Sequence, residues 1–600
     1  MPVALAAAAG YALLELAFFA SRNQILPWQP GHVVLGLIFF ALHLAVALVA
    51  LGVVKLAARR IRALGGPFAA FAPLAALAAI QGISFFRERL YGLPRDLAGT
   101  AGTLVFAALP FAAAAILAWT LRARPRAAER TALALAFAVV LAGLVRVATA
   151  RAPEPVAAVM PRAATHRLAA RDTGQRVLVF GFDGGTWTIL QPMLDAGRLP
   201  NLAALVARGR TFDVETIRPT FSPVIWTSIA TGKSRFRHGI HDVVQTVLPG
   251  GVKLPRAIER TAFYTKTTGV LFRALDRRHA FPLVPYRSEQ VKATSVFEAA
   301  SEAGIPTTEI EWYVSHPARP LSGVCVSDRF HLQARDRRLE GATYPAALDS
   351  LLAGEIVRAD DVPVERVLSF IDASGLDADG AAAWAKKHAK FVTEMQLNLA
   401  RDLTTRNVSV DLLSRDADWR LFATYFRAVD LSHHLTWRLR KEPGDVAQDP
   451  DLRLRPVIER YYELMDSIVG EVLAAAPPQA TLLVLSDHGF EDRYAHSRAP
   501  DGFAILAGGA TVPSPSRGRL SIYDVAPTIA ALLGLPVAQD LDGRVRADLL
   551  DPALLASFPV KEVSTWEREG RPQAGTTSSA EPEGAVDSEV ERLRALGYIH

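Results

Sequence analysis

Val177-Leu178-Val179-Phe180-Gly181-Phe182-Asp183-Gly184-Gly185 is the stretch on which the fold turns. The apolar run from Val177 to Phe180 has the form of a buried strand, and its Gly-Phe-Asp-Gly-Gly ending delivers one carboxylate at the strand's C-terminal edge. The same form recurs downstream, where Leu421 to Val429 runs into Asp430 and Thr481 to Leu485 runs into Ser486-Asp487-His488-Gly489. Ligands of open α/β sheets sit beyond the carboxyl ends of the strands, so three acidic tips far apart in sequence are expected to converge on one crevice. Helices separate the strands: Leu199 to Arg208, then Ser295 to Ala303 and Tyr523 to Leu533, the last two each stopped by a Gly-x-Pro element.

Upstream of this stretch the chain changes character. A length of 600 residues calls for two or more folding units, and half of the residues are hydrophobic. The excess falls before about residue 150. Five apolar stretches approach the roughly 20 residues that cross a hydrocarbon core: Val3 to Ala20, Val33 to Val54, Phe68 to Phe86, Thr100 to Trp119 and Thr131 to Val147. The first lacks the basic flank of a cleaved signal, so a true span is favoured. Lys55, Arg59, Arg60 and Arg62 follow the second stretch and Arg122, Arg124, Arg126 and Arg130 follow the fourth. Positive charge stays on the cytoplasmic side, which places the N-terminus inside and everything after Arg151 outside. Trp28 and Trp119 suit interfacial anchors, and Glu15 and His43 fall inside apolar spans, where a helix contact is favoured over a lipid-access groove. The expected organisation is a transmembrane helical region over 1–150, a linker over 151–175, a catalytic domain over 176–545 and a partly disordered tail over 546–600. Charged stretches over about 254–290 and 332–414 resemble cap insertions. The tail is rich in Gly, Ser, Glu and Pro over 562–587 and ends in a short helix over 588–598.

The net charge of +6 is small for this length and its basic residues cluster by the apolar segments, which argues against nucleic acid as a partner. The single Cys325 excludes an intramolecular disulfide framework and any CxxC metal or redox motif. Metals, if bound, must be held by Asp and His. Four motifs carry such residues: Phe182-Asp183-Gly184-Gly185; Pro219-Thr220-Phe221-Ser222-Pro223 running on to Thr231-Gly232 and His238-Gly239-Ile240; Asp430 with His434; and Asp487-His488-Gly489-Phe490 followed by His496. Singly each has an ordinary explanation in a turn or a solvated helix face. Asp430 and His434 are four apart, so one helical turn or a tight loop presents both to one ion, and the donor set of hard oxygens and imidazoles suits zinc or manganese.

Together and in this order, the motifs resemble the type I phosphodiesterase and nucleotide pyrophosphatase branch of the alkaline phosphatase superfamily, over roughly residues 176 to 545. The resemblance implies a mixed, mostly parallel α/β sheet flanked by helices and two divalent metal ions, zinc foremost. One ion would be held by Asp183, the oxygen of Ser222, Asp487 and His488, and the other by Asp430, His434 and His496. It implies a hydroxyl nucleophile ten residues before the Gly of a Thr-Gly pair, which falls on Ser222, with Thr220 as runner-up. The implied reaction proceeds in two in-line steps through a phosphoserine, on a phosphate ester that the membrane region makes a candidate for lipid linkage. His238 and His241 are set aside as scaffold residues, and Trp226 as core.

Three departures bear on substrate and class. Asp242 and Val243 stand where nucleotide pyrophosphatases of this branch carry an Asn, which weakens a nucleotide substrate. Ser222-Pro223-Val224-Ile225-Trp226 lacks the Pro spacing and Arg of the sulfatase motif. A multi-span anchor before such a domain also resembles phosphoethanolamine and phosphoglycerol transferases, so transfer to an envelope lipid or glycan is the alternative to hydrolysis. The alternative from another class is an inactive membrane scaffold or receptor. Oligomeric state is not fixed by the sequence.

Overall fold

In the computed structural model, residues 1–23, 30–60, 67–89, 100–149, 168–218, 220–248, 252–255, 282–332, 339–440, 452–490 and 499–567 are described. The chain divides into two compact units, one of Met1–Val156 with Val244–Val284, the other of Ala157–Val243 with Pro285–Ile599.

Among its described residues the first unit holds five helices where five apolar stretches were expected: α1 (Pro2–Asn23), α2 (Pro30–Ala58), α3 (Pro67–Arg89), α4 (Thr100–Thr120) and α5 (Pro125–Ala148). Small residues form their seams. Ala4 and Ala7 of α1 are buried with Ala136 of α5, and a Cβ on Gly143 would lie 2.6 Å from Leu13 Cβ, so α1 and α5 approach as closely as small side chains permit. Among the described residues, two segments are long and apolar enough to cross a membrane, Gly36–Ala58 and Pro125–Ala148. Over the described residues of the other three helices the apolar segments are Pro2–Ala17, Pro67–Ala79 and Ala108–Thr120, so two of the five expected spans have the support of length and composition there.

The second unit is built on a nine-stranded sheet: β1 (Val177–Phe182), β2 (Gly209–Glu215), β3 (Thr307–Ile310), β4 (Gly323–Val326), β5 (Thr343–Tyr344), β6 (Leu421–Phe426), β7 (Thr481–Ser486), β8 (Gly502–Ala507) and β9 (Gly518–Ser521). Their spatial order is β9-β2-β8-β7-β1-β6-β3-β4-β5. Strands β7, β1, β6, β3 and β4 run parallel, while β8 pairs antiparallel with both β7 and β2, and β5 antiparallel with β4. Every residue of β1, β6 and β7 is buried, as strands covered on both faces require. Their register is level: Phe182 lies beside Phe426 on one side and Ser486 on the other. Residues 183, 427 and 487 therefore leave the sheet together at one edge.

Helix α6 (Ser222–Thr231) crosses this edge with all ten residues buried. It lies so close because β1 carries Gly181, where a Cβ would meet the Trp226 ring at 2.8 Å. Trp226 packs edge-on against Tyr425 of β6, with ring centroids 4.8 Å apart, and is core as expected. The stretch 332–414 ends in α7 (Ala389–Arg415), a 27-residue helix that buries Met395, Leu399, Val408 and Leu412. Its Ser409 hydroxyl meets Thr424 of β6 at 2.8 Å. Helix α8 (Ala428–Thr436) begins directly after β6. The expectation that Leu421 to Val429 forms one strand with Asp430 at its tip is corrected here. Arg427 takes helical torsions (φ −98°, ψ −26°), so the strand stops at Phe426 and Asp430 rides in the first turn of a helix. Of the tail, Glu562–Val563 pairs in parallel with Val537–Ala538, and Glu567 accepts an ion pair from the buried Lys233 at 2.9 Å. The terminal helix expected over 588–598 lies outside the described residues, as does most of the 151–175 linker.

Candidate active site

The site is assembled where the level ends of β1 and β7 meet the start of α6. Asp183 is held by its backbone N–H, which donates to Phe426 O at 3.0 Å. Its Oδ1 accepts from the Ser222 hydroxyl at 3.0 Å and its Oδ2 from the Tyr425 hydroxyl. His488 Nε2 stands 3.4 Å from Ser222 Oγ, 3.5 Å from Asp183 Oδ1 and 3.5 Å from Asp487 Oδ2. One ligand atom from each of Asp183, Asp487 and His488 falls within 4.8 Å of the others. His488 Nδ1 lies 2.7 Å from Gly489 O. A carbonyl only accepts, so the proton sits on Nδ1 and the Nε2 lone pair faces the three side-chain oxygens, the orientation a metal ligand needs.

Asp430 and His434 form the second part, with His434 Nε2 3.2 Å from Asp430 Oδ2. The turn after β1 brings the two parts together. Gly184 has φ +68°, its N–H donates to Asp487 Oδ1 at 3.2 Å, and a Cβ on it would come within 2.6 Å of Asp430 Oδ1. Only glycine lets the backbone pass between two carboxylates in this conformation. Ser222, Asp183, Asp487 and His488 are thus one cluster, with the Asp430–His434 pair abutting it. His496 lies outside the described residues, and Thr220 is fully buried two residues before Ser222. His238 and His241 do not join it either. His238 Nδ1 accepts from Ile240 N at 3.2 Å, which leaves its Nε2 to donate to Ser228 Oγ at 3.0 Å in a closed turn.

Three fully buried carboxylates carry the electrostatics. Burial first, then the charges of Asp487 and Asp430, push the Asp183 carboxyl well above its usual range. Burial likewise raises Asp487, against the neighbouring His488 that lowers it. Asp487 Oδ2 receives no hydrogen bond from any described residue. Buried carboxylates this close cannot all ionise unless a cation sits among them, so the donor set fits a divalent metal. Ser222 occupies the first position of the ten-residue α6, where the helix dipole also favours a negative oxygen.

Two buried residues here were not singled out from sequence. His433 has no hydrogen-bond partner among the described residues for either ring nitrogen; its ring packs against Trp437 and Phe490, each at 5.1 Å, and burial lowers its pKa to about 3. Its neighbour in the Asp-x-x-x-His spacing masked it. Arg427 stands at the sheet edge level with Asp183 and Asp487, with its guanidinium carbon 4.0 Å above the centre of the Tyr313 ring. Its signal was a cation in an otherwise apolar run, at a position assigned to a strand interior.

Against known proteins, residues 177–501 match the sequence profile of the type I phosphodiesterase / nucleotide pyrophosphatase family. No curated protein matches the chain in sequence. Among solved structures, similarity extends to an inactive form of murine ectonucleotide pyrophosphatase / phosphodiesterase 5 in complex with AMP (13% identity, TM-score 0.32, covering 63% of this chain and 100% of that one). It also extends to a phosphonate monoester hydrolase from Silicibacter pomeroyi (16%, TM-score 0.32, 62% and 76%). A third is phosphonoacetate hydrolase from Sinorhizobium meliloti with phosphonoformate (16%, TM-score 0.30, 54% and 60%).

Proposed function

We propose, from the premise that this chain belongs to the type I phosphodiesterase / nucleotide pyrophosphatase family and is a phosphoric ester hydrolase, that it cleaves phosphate esters through a covalent intermediate on Ser222. The observation that carries this reading is the Ser222 hydroxyl, buried at a helix N-terminus 3.0 Å from Asp183 Oδ1 and 3.4 Å from His488 Nε2. Two divalent ions, zinc foremost and manganese as the substitute, would be held by Asp183, Ser222, Asp487 and His488 on one side and by Asp430, His434 and His496 on the other. When bound they supply the positive charge that favours the Ser222 alkoxide and offsets charge building on the phosphoryl oxygens. The protein's own residues do the rest. The register of β1 and β7 fixes Asp183 and Asp487, Gly489 O orients His488, and the first turn of α6 holds Ser222 Oγ against both Asp183 and His488. Ser222 Oγ attacks phosphorus, the ester's alcohol leaves with a proton, and a water then cleaves the phosphoseryl bond to release the phosphoryl group and restore the hydroxyl.

The reading extends to location. The 176–545 catalytic domain follows a membrane anchor of up to five spans, stands on the extracytoplasmic side and takes a lipid-linked or envelope ester. The length and apolar composition of Gly36–Ala58 and Pro125–Ala148 support the anchor. The test is acid-quench trapping with a labelled aryl phosphodiester and zinc-loaded full-length protein. Ser222→Ala should abolish the covalent label while Thr220→Ala retains it; label surviving in Ser222→Ala would move the nucleophile elsewhere.

A further inference from the structure

Beside the nucleophile, and apart from the carboxylate cluster, lies a cleft of about 30 Å³ whose lining includes Pro223, Tyr286, Tyr313, Asp328, Arg329 and Arg427. Pro223 directly follows Ser222, so the cleft borders the turn of α6 that carries the nucleophile. Arg427 is 5% exposed and covers the Tyr313 ring. That ring stands 5.3 Å from the Tyr425 ring, whose hydroxyl donates to Asp183. Two phenol rings thus separate the guanidinium from the cluster, and its charge still lowers the Asp183 carboxyl against burial. Arg329, 8% exposed, anchors to Tyr286 O at 3.3 Å.

The wall bearing Tyr313 is held in an uncommon backbone conformation. Glu311 and the β-branched Val314 have φ of 55° and 61°, a region that L residues with branched side chains rarely adopt. Surrounding bonds hold it in place. The two oxygens of Asp328 accept the N–H groups of Val314 and His316, each at 3.0 Å, and Glu311 is paired with Arg401 at 3.0 Å. Asp328 therefore braces the loop while both guanidinium groups line the cleft; their charges act on Asp328, and that of Arg427 also on Glu311. The volume admits an oxyanion and excludes a nucleobase.

We propose that Arg427, backed by Arg329, forms a specificity subsite for a second oxyanion of the substrate, a carboxylate or phosphate carried on the alcohol part of the ester beyond the scissile phosphoryl group. The planar guanidinium, supported by an aromatic face, matches the paired oxygens of such a group. The proposal rests on the phosphoric ester hydrolase reading.

The test uses zinc-loaded full-length protein in detergent and three aryl phosphodiesters whose second alcohol is neutral, carboxylate-bearing or phosphate-bearing. The wild type should favour the anionic esters in kcat/KM by about tenfold or more. Arg427→Gln should lose about 30-fold on the anionic esters, chiefly in KM, and no more than about threefold on the neutral one. Arg427→Lys should restore part of the preference, and Arg329→Gln should reduce it in the same direction by less. Preference confined to the phosphate-bearing ester, or shared with the carboxylate, supports the subsite and names its oxyanion. Equal losses on all three esters, or a preference that survives Arg427→Gln, overturn it. If Arg427→Gln does not fold by circular dichroism, an undiminished preference in Arg329→Gln overturns it instead. Hydrolysis of none of the three by the wild type would sink the hydrolase reading itself, a result distinct from loss of selectivity.

Discussion

The two halves of the candidate site are held in different ways. Asp183, Asp487 and His488 follow buried strands whose register is fixed on both sides, so their positions derive from the sheet. Asp430 and His434 ride on a nine-residue helix that starts one residue after a strand and rests against α7 and the helix Val457–Ala475. The first half is as rigid as the core; the second depends on how that helix is seated. Substitutions that act on one half and spare the other measure this difference.

The largest effect is expected at the strand tips. Asp183→Asn keeps the shape but removes the charge that faces Ser222 and His488, and should lower turnover on the order of a thousandfold, several kcal/mol of transition-state stabilisation. Isothermal titration with zinc should show one of two metal equivalents weakened. His434→Ala should weaken the other equivalent on the order of a hundredfold and leave the Ser222–Asp183–His488 group able to bind its own ion. If the two variants lose the same equivalent, the halves form one site and the comparison fails.

Gly184→Ala attacks the joint between the halves. The left-handed torsion and a Cβ 2.6 Å from Asp430 Oδ1 should together cost about 1–3 kcal/mol in stability and roughly tenfold in turnover. Thermal melting and steady-state kinetics read the two losses separately. A melting temperature equal to that of the wild type would mean that the turn relaxes around the new methyl group.

The same contrast governs what the sequence disclosed. An apolar run that stops at a Gly-bounded carboxylate marks a strand end, so the tips of β1 and β7 were legible from Phe182-Asp183-Gly184 and Ser486-Asp487-His488. The β6 boundary was not, because Leu421 to Val429 stays largely apolar through the strand-to-helix junction, with Thr424 and Arg427 the exceptions, and holds no Gly, Pro, Asn or Asp to mark a turn. The Asp430–His434 spacing still announced a helical turn, which the structure contains. Helix α7 escaped notice because its buried face includes Asn398, Arg401, Asp402, Thr404, Thr405 and Ser409, a polar pattern that looks solvated until its partners are in place. The five apolar helices were legible from composition, since small and aliphatic residues dominate them.

Asp402 offers the finest probe of how the helix-borne half is seated. Its buried carboxylate takes the Tyr461 hydroxyl at 3.1 Å and faces the backbone N–H groups of Arg427 and Ala428, where α8 begins. Burial outweighs Arg401 and these hydrogen bonds and raises its pKa from 3.8 to about 7. A folded-state pKa above the unfolded one means that the fold favours the protonated form. This group's contribution is therefore full below about pH 4 and is lost as pH rises toward 7. Asp402→Asn cannot ionise and keeps an acceptor for Tyr461, so its melting temperature should fall less between pH 4 and pH 7 than that of the wild type. Turnover should change by at most about threefold, because the residue lies behind the helix and not against the substrate. Wild-type and variant melting curves that shift in parallel over this range would mean that Asp402 stays ionised, and that the seat of α8 carries no proton.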